Sequence, residues 1–374
     1  MTRGDSDSRY MDQALVLARQ AVGLSEPNPR VGCVIVSADG QRVLGQGHTQ
    51  RAGEAHAEVM ALRDAAAQGH SARGATVYVT LEPCSHQGRT GPCCDALAAA
   101  GVGRVVAAAV DPNPLVRGQG IARLRAAGVD VDVGPGERET RELNIGFFQR
   151  MERGLPWVRL KVAMSLDGTT ALENGASQWI TSPEARADGH AWRARAGAVL
   201  TGIGTVLDDN PRLDVRLAPT ARQPALVVVD SRLQTPPQAA LFTGTRPAWI
   251  ASATQDPDRE AVLRERGADL LHLPGAGGKV DLGALLRELA GRHVNELHVE
   301  AGHKLNGSLL KAGLVDELLV YMAPRLLGAG HPLAALGPLG TLAEALPLTF
   351  HSVDQVGPDL RVLARVQRPL SASA

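Results

Sequence analysis

The sequence predicts an α/β protein in which helices pack on sheets of partly parallel strands. Hydrophobic residues make up 44% of the 374 residues but aromatic residues only 3%, so the cores must consist mainly of Ala, Val and Leu. Such small aliphatic side chains favour helices packed on sheets. Short apolar runs also alternate along the chain with segments whose apolar residues recur at helical spacing. This alternation of strands and helices is typical of α/β layers.

The first half of the chain contains one such series of elements. Residues 1–8 are polar, and we predict that they are disordered. The predicted elements that follow are a helix at 11–22, strands at 31–37 and 43–47, a helix at 57–67, a strand at 76–80, a helix at 94–100, a strand at 104–110, a helix at 120–127 and a strand at 129–133.

A second series begins near residue 155. Gly154-Leu155-Pro156 indicates a domain edge. We therefore expect a first domain at 9–153, a second at 154–369 and a tail at 370–374, as a chain of this length favours two domains. The predicted strands of the second domain lie at 158–163, 198–201, 225–230, 248–251, 269–273, 296–300 and 317–322, with helices that include 183–195 and 305–311.

The first domain contains a set of metal-binding side chains. His56, Cys84 and Cys93 supply one imidazole and two thiols, which suit zinc and leave a fourth position for water. Glu58 stands beside the first ligand and is free to move protons. Because zinc lowers the pKa of a bound water towards about 7, this set is typical of zinc deaminases, which carry H-x-E and P-C-x-x-C.

The spacing of the cysteines departs from that signature. Nine positions separate the two (93 − 84 = 9), and Cys94 competes with Cys93 as the third ligand. We favour Cys93, because adjacent residues in a helical turn point in different directions. The alternative is a closed structural zinc site or a pair of buried thiols, although a closed site normally has four protein ligands and no spare Glu.

Two glycine turns in the second domain predict a nucleotide cofactor without identifying it. Residues 202–205 and 302–307 each follow a predicted strand and precede a helix, where backbone N–H groups can bind phosphate. Neither turn is a complete G-x-G-x-x-G sequence, so each by itself is also compatible with an ordinary structural turn. Arg193 and Arg216 are candidates for binding a phosphate ester, or else solvated surface residues.

Charge and cysteine usage limit the partners and the compartment. Lys+Arg and Asp+Glu both number 39, which argues against a general nucleic-acid binder. The polar N-terminus lacks the apolar core of a signal peptide, and no apolar run is long enough to cross a bilayer. Four cysteines without a disulfide framework fit the cytoplasm. We expect a small-molecule substrate, and the sequence leaves a homo-oligomer open.

Several longer motifs carry a resemblance to a known family. In chain order they are HAEVMAL, VTLEPCSHQGRTGPCCDAL, KVAMSLDG, SQWITS, TGIGTVLDDNPRL and VEAGHKLNGSLL. With them the chain resembles, over almost its whole length, the bifunctional deaminase–reductases of riboflavin biosynthesis. The resemblance implies an N-terminal cytidine-deaminase-like α/β/α domain that binds zinc and a C-terminal dihydrofolate-reductase-like α/β domain that binds NADPH.

The same resemblance implies two consecutive reactions. The first is hydrolytic deamination of 2,5-diamino-6-(5-phosphoribosylamino)pyrimidin-4(3H)-one, and the second is reduction of the ribosyl side chain to ribityl. It assigns His56, Cys84 and Cys93 to zinc, makes Glu58 the proton shuttle and makes Asn28 and Arg89 deaminase substrate contacts. The implied cofactor-binding positions are Ala163, Trp179, Thr205, Asp209, Ser231, Gly302, His303, Lys304, Leu305, Asn306, Gly307 and Ser308. The implied reductase substrate positions are Ser177, Arg193, Leu213, Arg216 and Glu300.

Some points stay open at this level. Many relatives carry His where this chain has Thr49, and they often have Pro where it has Gly91. The reductase proton donor is not identified, with Glu300 and Asp209 as candidates. Two other functions compete with this prediction: a different nucleobase deaminase with an unrelated second domain, and a zinc-stabilised binding module without enzymatic activity.

Overall fold

The computed structural model describes residues 3–86 and 91–367, and the chain divides into two compact units, 1–154 and 155–374. Across the described residues, no helix combines the length and the apolar character needed to cross a membrane.

The first unit is a sheet with helices on both faces. Its elements are α1 (Arg3–Arg19), β1 (Gly32–Val36), β2 (Val43–His48), α2 (Ala57–Ala67), β3 (Thr76–Val79), α3 (Cys93–Ala99), β4 (Arg104–Ala107), α4 (Gln119–Ala126), β5 (Asp130–Val133), α5 (Glu137–Leu143) and α6 (Ile145–Arg153). The described strands form one sheet in the order β2-β1-β3-β4-β5. β1 is antiparallel to β2 and β3, whereas β3, β4 and β5 are parallel.

Side chains of β1 alternate between two cores, as the period of a strand requires. Val34 and Val36 pack with residues of α1, and Cys33 and Ile35 belong to the larger core on the other face. On the α2 side, Gly47 lets the helix approach closely, because a Cβ there would lie 2.7 Å from the backbone nitrogen of Ala61. This contact sets the position of α2, whose first turn carries the predicted proton shuttle Glu58.

The prediction that residues 1–8 are disordered is wrong for the described residues, because α1 begins at Arg3. Asp7 accepts hydrogen bonds from the Tyr78 hydroxyl (2.9 Å) and from the Arg104 guanidinium (2.8 and 2.7 Å). The polar first turns are therefore held by contacts with distant parts of the sheet. Local composition does not reveal such contacts, nor did it predict α5 and α6.

The second unit contains a larger sheet. Its elements are β6 (Trp157–Ser165), β7 (Thr169–Leu172), α7 (Pro183–Arg195), β8 (Ala198–Gly202), α8 (Ile203–Asp209), β9 (Ala225–Val229), β10 (Ala248–Ser252), α9 (Pro257–Glu265), β11 (Ala268–His272), α10 (Leu282–Gly291), β12 (Glu296–Val299), α11 (His303–Lys311), β13 (Glu317–Ala323), β14 (Gly330–Pro332), β15 (Leu348–Val356) and β16 (Asp359–Val366). Short 3₁₀ turns occur at Ala240–Phe242, Ala276–Gly278 and Leu342–Glu344.

The order of the described strands in the large sheet is β11-β10-β9-β8-β12-β6-β13-β16-β15. The strands from β11 to β13 are parallel, and β16 and β15 continue the sheet in antiparallel pairing. Two large apolar cores and one small cluster lie between this sheet and its helices. Because β6, β8, β9 and β12 are parallel, the residues that follow them meet at one edge, where ligands of open α/β sheets commonly bind.

Candidate active sites

The first candidate site lies where helix starts meet the end of a strand. His56 is the N-cap of α2, with an extended backbone (φ −77°, ψ 168°), and its side chain does not cap the helix. Cys93 is the first residue of α3 and is buried. Cys84 follows β3 and is half-buried. Three segments that are distant in the sequence therefore direct one imidazole and two thiols to one point.

The distances in this cluster fit a tetrahedral zinc ion. His56 Nδ1 lies 3.5 Å from Cys84 Sγ and 3.4 Å from Cys93 Sγ, and the ligand atoms of the three residues all lie within 4.8 Å of one another. Tetrahedral zinc with Zn–N of about 2.0 Å and Zn–S of about 2.3 Å requires N···S separations of about 3.5 Å. The donor set and its spacing thus match zinc, with one coordination position left over.

Of the two adjacent cysteines, the structure brings Cys93 into the cluster. Cys94 Sγ instead lies 3.5 Å from Asp95 Oδ1, and burial together with this contact raises the pKa of Cys94 to about 11. Hydrogen bonding to Cys93 and to His56 lowers the pKa of Cys84 to about 4, while the bond to Cys84 and burial raise that of Cys93. A bound cation would favour ionisation of both thiols, because it neutralises their negative charges.

Glu58 lies in the first turn of α2 and is only 3% exposed. Burial and the neighbouring Cys84 thiolate raise the pKa of Glu58 to about 7. A carboxyl group with such a pKa exchanges protons readily near neutral pH. The structure therefore places a proton-exchanging group beside three metal-ligating side chains.

The sequence analysis named three further positions of the deaminase, which are Asn28, Arg89 and Thr49. Asn28 is half-buried in the loop between α1 and β1, and Arg89 lies outside the described residues. Thr49, which stands where many relatives have His, is 3% exposed. Its hydroxyl lies 3.3 Å from the backbone nitrogen of Val31, and its backbone N–H donates to the Val31 carbonyl at 2.9 Å. Thr49 therefore joins its loop to the start of β1.

The second candidate site lies in the second unit, where its two glycine turns meet. A Cβ on Gly202 would lie 3.1 Å from Leu305, and one on Gly302 would lie 3.9 Å from Thr205 Oγ1. The turn that begins α8 therefore lies against the turn that begins α11. Two helix N-termini at the edge of a parallel sheet are suited to the phosphates of a nucleotide.

The later part of the predicted cofactor stretch faces elsewhere. Asn306 is buried and donates a hydrogen bond to the Leu333 carbonyl (2.9 Å). A Cβ on Gly307 would lie 2.5 Å from the Ala335 carbonyl oxygen. These two residues thus pack α11 against the segment at 333–335. His303, which starts the helix, forms a ring pair with His331 at 4.6 Å between centroids.

A cluster of charges lies at the ends of β12 and α7. The Glu300 carboxylate pairs with the Arg193 guanidinium and lies 3.6 Å from Lys161 Nζ and 3.3 Å from His298 Nε2. Burial opposes ionisation of Glu300, but the charges of Arg193 and Lys161 outweigh it and hold the pKa of Glu300 well below its usual range. Glu300 and Arg193 are thus brought together as an ion pair.

Two members of this region were missed in the sequence analysis. Lys161 and Arg159 are the two charged residues of the otherwise largely apolar strand β6, and charges in a buried strand were the signal that could have revealed Lys161. His190 lies near Arg193 and accepts the backbone N–H of Arg216 at 3.2 Å. Burial and the charges of Arg193 and Arg216 lower the pKa of His190 to about 4, so its imidazole is neutral at physiological pH.

The remaining predicted reductase positions surround this edge of the sheet. Arg216 pairs with Asp214 at 2.7 Å, and Leu213 is buried with a positive φ of 51°. The Asp209 carboxylate at the end of α8 bonds to Gln178, between Ser177 and Trp179, and burial and Asp208 raise its pKa. Trp179 is 60% exposed beneath the Arg186 guanidinium. Ala163 lies in β6, and Ser231 follows β9 and accepts the Val280 N–H at 3.2 Å.

Comparison with known proteins assigns a family region to each of the two units. The cytidine and deoxycytidylate deaminase zinc-binding region matches residues 5–109, and the RibD C-terminal domain matches residues 156–362. The chain belongs to the RibD family. The riboflavin biosynthesis protein RibD of Escherichia coli K12 is 48% identical over 95% of this chain and 98% of that protein. RibD of Aquifex aeolicus is 41% identical over 95% of this chain and 97% of its own length.

Solved RibD structures have the same fold. Acinetobacter baumannii RibD superposes with a TM-score of 0.89 at 39% identity, covering 97% of this chain and 99% of that one. A Thermotoga maritima diaminohydroxyphosphoribosylaminopyrimidine deaminase/5-amino-6-(5-phosphoribosylamino)uracil reductase gives 0.86 at 30% identity, covering 98% and 100%. The predicted fold class, a deaminase-like and a reductase-like α/β unit, is confirmed. The prediction of zinc is also confirmed by the matched zinc-binding region.

Proposed function

We propose that this RibD-family protein catalyses two consecutive steps of riboflavin biosynthesis. The first unit deaminates 2,5-diamino-6-(5-phosphoribosylamino)pyrimidin-4(3H)-one, and the second unit reduces the ribosyl side chain with NADPH to give 5-amino-6-(5-phosphoribitylamino)uracil. The observation that carries the proposal is the convergence of His56, Cys84 and Cys93 with Glu58 beside them. The Thermotoga maritima relative is described as having both activities.

In the deaminase, His56, Cys84 and Cys93 would hold the zinc ion. When bound, zinc supplies a Lewis acid and a water molecule of lowered pKa. Glu58 carries one proton of the attacking water to a ring nitrogen and the second proton of that water to the departing amine, which leaves as ammonia. Its burial suits this role, because a pKa of about 7 lets it both accept and release a proton. Asn28 and Arg89 are proposed to contact the substrate.

In the reductase, NADPH supplies the hydride, and the protein binds and orients both partners. The turn at Gly202–Thr205, the start of α11 and the positions Ala163, Trp179, Asp209 and Ser231 are proposed to bind the cofactor. The proximity of the two glycine turns supports this assignment. C1′ of the ribosyl group, in its opened imine form, is the hydride acceptor.

The phosphoribosyl end of the substrate requires positive charge. Arg193 is committed to Glu300, whereas the Arg216 side chain is 44% exposed and shares Asp214 with Arg212. We therefore propose that Arg216 binds the phosphate and that the Arg193–Glu300 pair, with Ser177 and Leu213, shapes the ribosyl subsite. Glu300 is held ionised and Asp209 has a raised pKa, and both stay candidates for the proton donor.

A coupled assay on zinc-loaded protein tests the proposal. The diaminopyrimidinone ribosyl phosphate is supplied, and ammonia release and NADPH oxidation are followed separately. The proposal expects both signals, with NADPH oxidation dependent on prior deamination. Ammonia without NADPH oxidation would contradict the second reaction, and absence of both signals would point to another substrate class.

Compartment and assembly belong to the same proposal. None of the four cysteines forms a disulfide, which fits a reducing cytoplasm, and the balanced charge fits an enzyme without nucleic-acid partners.

The second unit exposes large apolar side chains in and before its edge strand β15, including Leu342 (94% exposed), Phe350 (72%) and Val353 (55%). Because monomers rarely expose such patches, we propose that they pair two copies of the chain. Light scattering on Phe350→Asp should then show a smaller particle than the wild type.

A further inference from the structure

Glu82 is a buried carboxylate two residues before the zinc-ligating Cys84. Its side chain is only 3% exposed, and it accepts four backbone hydrogen bonds. Oε1 accepts the N–H groups of Gly120 (2.9 Å) and Ile121 (3.2 Å) in the first turn of α4. Oε2 accepts those of Gly118 (2.9 Å) and Asp111 (3.2 Å). These four N–H groups lie in the first turn of α4 or in the loop before it, where a backbone N–H has no carbonyl partner within the helix.

The start of α4 also contacts the residues on both sides of Cys84. A Cβ on Gly120 would lie 1.9 Å from the Pro83 carbonyl oxygen, so the helix packs directly on that peptide. Arg123 of α4 donates to the Ser85 carbonyl at 2.6 Å. These contacts hold the chain at Glu82 and Pro83, before Cys84, and at Ser85, directly after it.

The same helix reaches the segment of the second cysteine ligand. Arg123 Nη2 lies 3.5 Å from Asp95 Oδ2, in the first turn of α3, which begins with Cys93. The Cys84 carbonyl in turn accepts the Cys94 N–H at 3.2 Å. α4 therefore contacts both segments that carry sulfur ligands, and the Glu82 carboxylate accepts the N–H groups at its start.

We propose that Glu82 is a positioning residue of the deaminase, which holds Cys84 at the correct place relative to His56 and Cys93 by fastening the end of β3 to the first turn of α4. This inference rests on the zinc-ligand assignment of the proposed function. Glu82 does not contact the ligand atoms in this arrangement and acts through the backbone of Pro83-Cys84-Ser85. Groups outside the ligand set commonly affect metal affinity in this way.

The chemistry of the site explains why a carboxylate is needed. Both oxygens act only as acceptors, and each meets two N–H donors, so an ionised carboxylate satisfies all four bonds. In Glu82→Gln one acceptor becomes an NH2 group that faces two N–H groups, which repels the helix start without changing side-chain size. Negative charge at a helix N-terminus also favours the arrangement.

The test compares two variants that loosen the attachment by different means. Glu82→Gln removes an acceptor and the charge, whereas Gly120→Ala keeps the charge and forces the Pro83 peptide away sterically. Asp39→Asn is the control, because the Asp39 carboxylate also accepts a backbone N–H in the first unit (Gln41, 3.1 Å) but lies in the turn between β1 and β2, away from the elements that carry the ligands. Zinc affinity is measured by chelator competition, and the site geometry by the visible absorption of the cobalt-substituted protein.

We expect zinc affinity to fall about 10- to 100-fold in both variants, the range typical when an outer partner of a metal site is lost. The cobalt bands should shift, Asp39→Asn should match the wild type in both measurements, and NADPH-dependent reduction of the deaminated substrate should be unchanged in all variants. Wild-type zinc affinity and cobalt bands in Glu82→Gln, even with a lowered melting temperature, would overturn the proposal. A wild type that binds no zinc would instead overturn the proposed function.

A measurement on the unmodified protein covers the case in which a variant does not fold. If Glu82 couples α4 to the ligands, zinc loading should slow amide hydrogen exchange at Gly118, Gly120 and Ile121, since linkage acts in both directions. Equal exchange at these amides in the zinc-loaded and chelated protein would contradict the inference.

Discussion

At the scale of single residues, neighbouring side chains have different functions because their surroundings differ. Cys93 and Cys94 are adjacent, yet Cys93 Sγ lies 3.4 Å from His56 Nδ1 while Cys94 contacts Asp95. Glu58 follows a ligand by two positions, and burial raises its pKa to about 7. Each role therefore depends on the direction of one side chain at a helix start.

We expect Glu58→Gln to retain zinc and to lose deaminase activity. The amide has nearly the same size but cannot shuttle a proton, and positioned proton transfer contributes about 100- to 10,000-fold to a rate. Ammonia release should fall by that factor, while bound zinc and the reductase rate stay at wild-type values. Glu54→Gln, at an exposed position in the loop before α2, is the control. Near wild-type deamination by Glu58→Gln would refute the proton-shuttle role.

The arginines around Asp214 allow a second test at this scale. Arg216 and Arg212 each pair with Asp214 and are 44% and 55% exposed, so they form a matched pair. Arg216→Ala should raise the reductase KM about 10- to 100-fold, the value of a charge-assisted hydrogen bond to phosphate. Arg212→Ala should have little effect, and deamination should be unchanged in both. Equal loss of both activities in Arg216→Ala would indicate misfolding.

At the scale of elements, helix starts determine where the functional residues lie. α2 and α3 begin at or next to zinc-ligating residues, and α8 and α11 begin at the two glycine turns. α7 begins after Ser182, whose hydroxyl accepts the Ala185 N–H at 3.2 Å, and the helix continues to His190 and Arg193. The cap of α7 thus stabilises an element of the reductase site.

Ser182→Ala should destabilise the second unit by about 1 kcal/mol, the usual cost of losing a helix N-cap. The free energy of unfolding is measured by denaturant titration of the full-length protein, with Ser182→Asp as a variant that retains a capping oxygen. We expect the Asp variant to stay close to the wild type. A similar loss in both variants would show that the cap bond is not the cause.

At the scale of the whole molecule, the chain comprises two units with separate cores, and all three zinc-ligating residues lie in the first of them. A bound ion stabilises only the structure that binds it, by about 4 kcal/mol when its concentration is 1,000 times the Kd. Once ionised, the two thiols of this site repel each other, and a bound cation offsets that repulsion.

Chelation of zinc should therefore loosen the first unit selectively. Hydrogen exchange resolved by peptide should accelerate in β1, β3 and α2 and stay unchanged in β8 and β12. Cys93→Ser should show the fast exchange even without chelator. Uniform acceleration across both units would contradict a zinc effect confined to the first one.

Local sequence patterns predicted much of this architecture. The central strands and the helices that carry ligands appeared in the sequence because their apolar periodicity is a short-range property. The residue types of the zinc site were also predictable, since imidazole, thiol and carboxylate groups at suitable spacing have few other uses. The motifs of the family added the positions in the second unit that periodicity does not distinguish.

Long-range contacts are what the sequence did not reveal. α1 begins at Arg3 because Asp7 meets Tyr78 and Arg104 across the sheet. Lys161 lies beside Glu300 because β6 and β12 are neighbouring parallel strands. β15 and β16 extend the sheet beyond the predicted strands.

The sequence by itself thus determined the α/β class, the ligand types and the family, all of which depend on residue identity and local spacing. Only the tertiary structure decided that Cys93 rather than Cys94 faces His56, that the two glycine turns meet, and that Glu82 fastens the Cys84 segment to α4. These features depend on side-chain directions and on packing between segments far apart in the chain, and no local pattern encodes either.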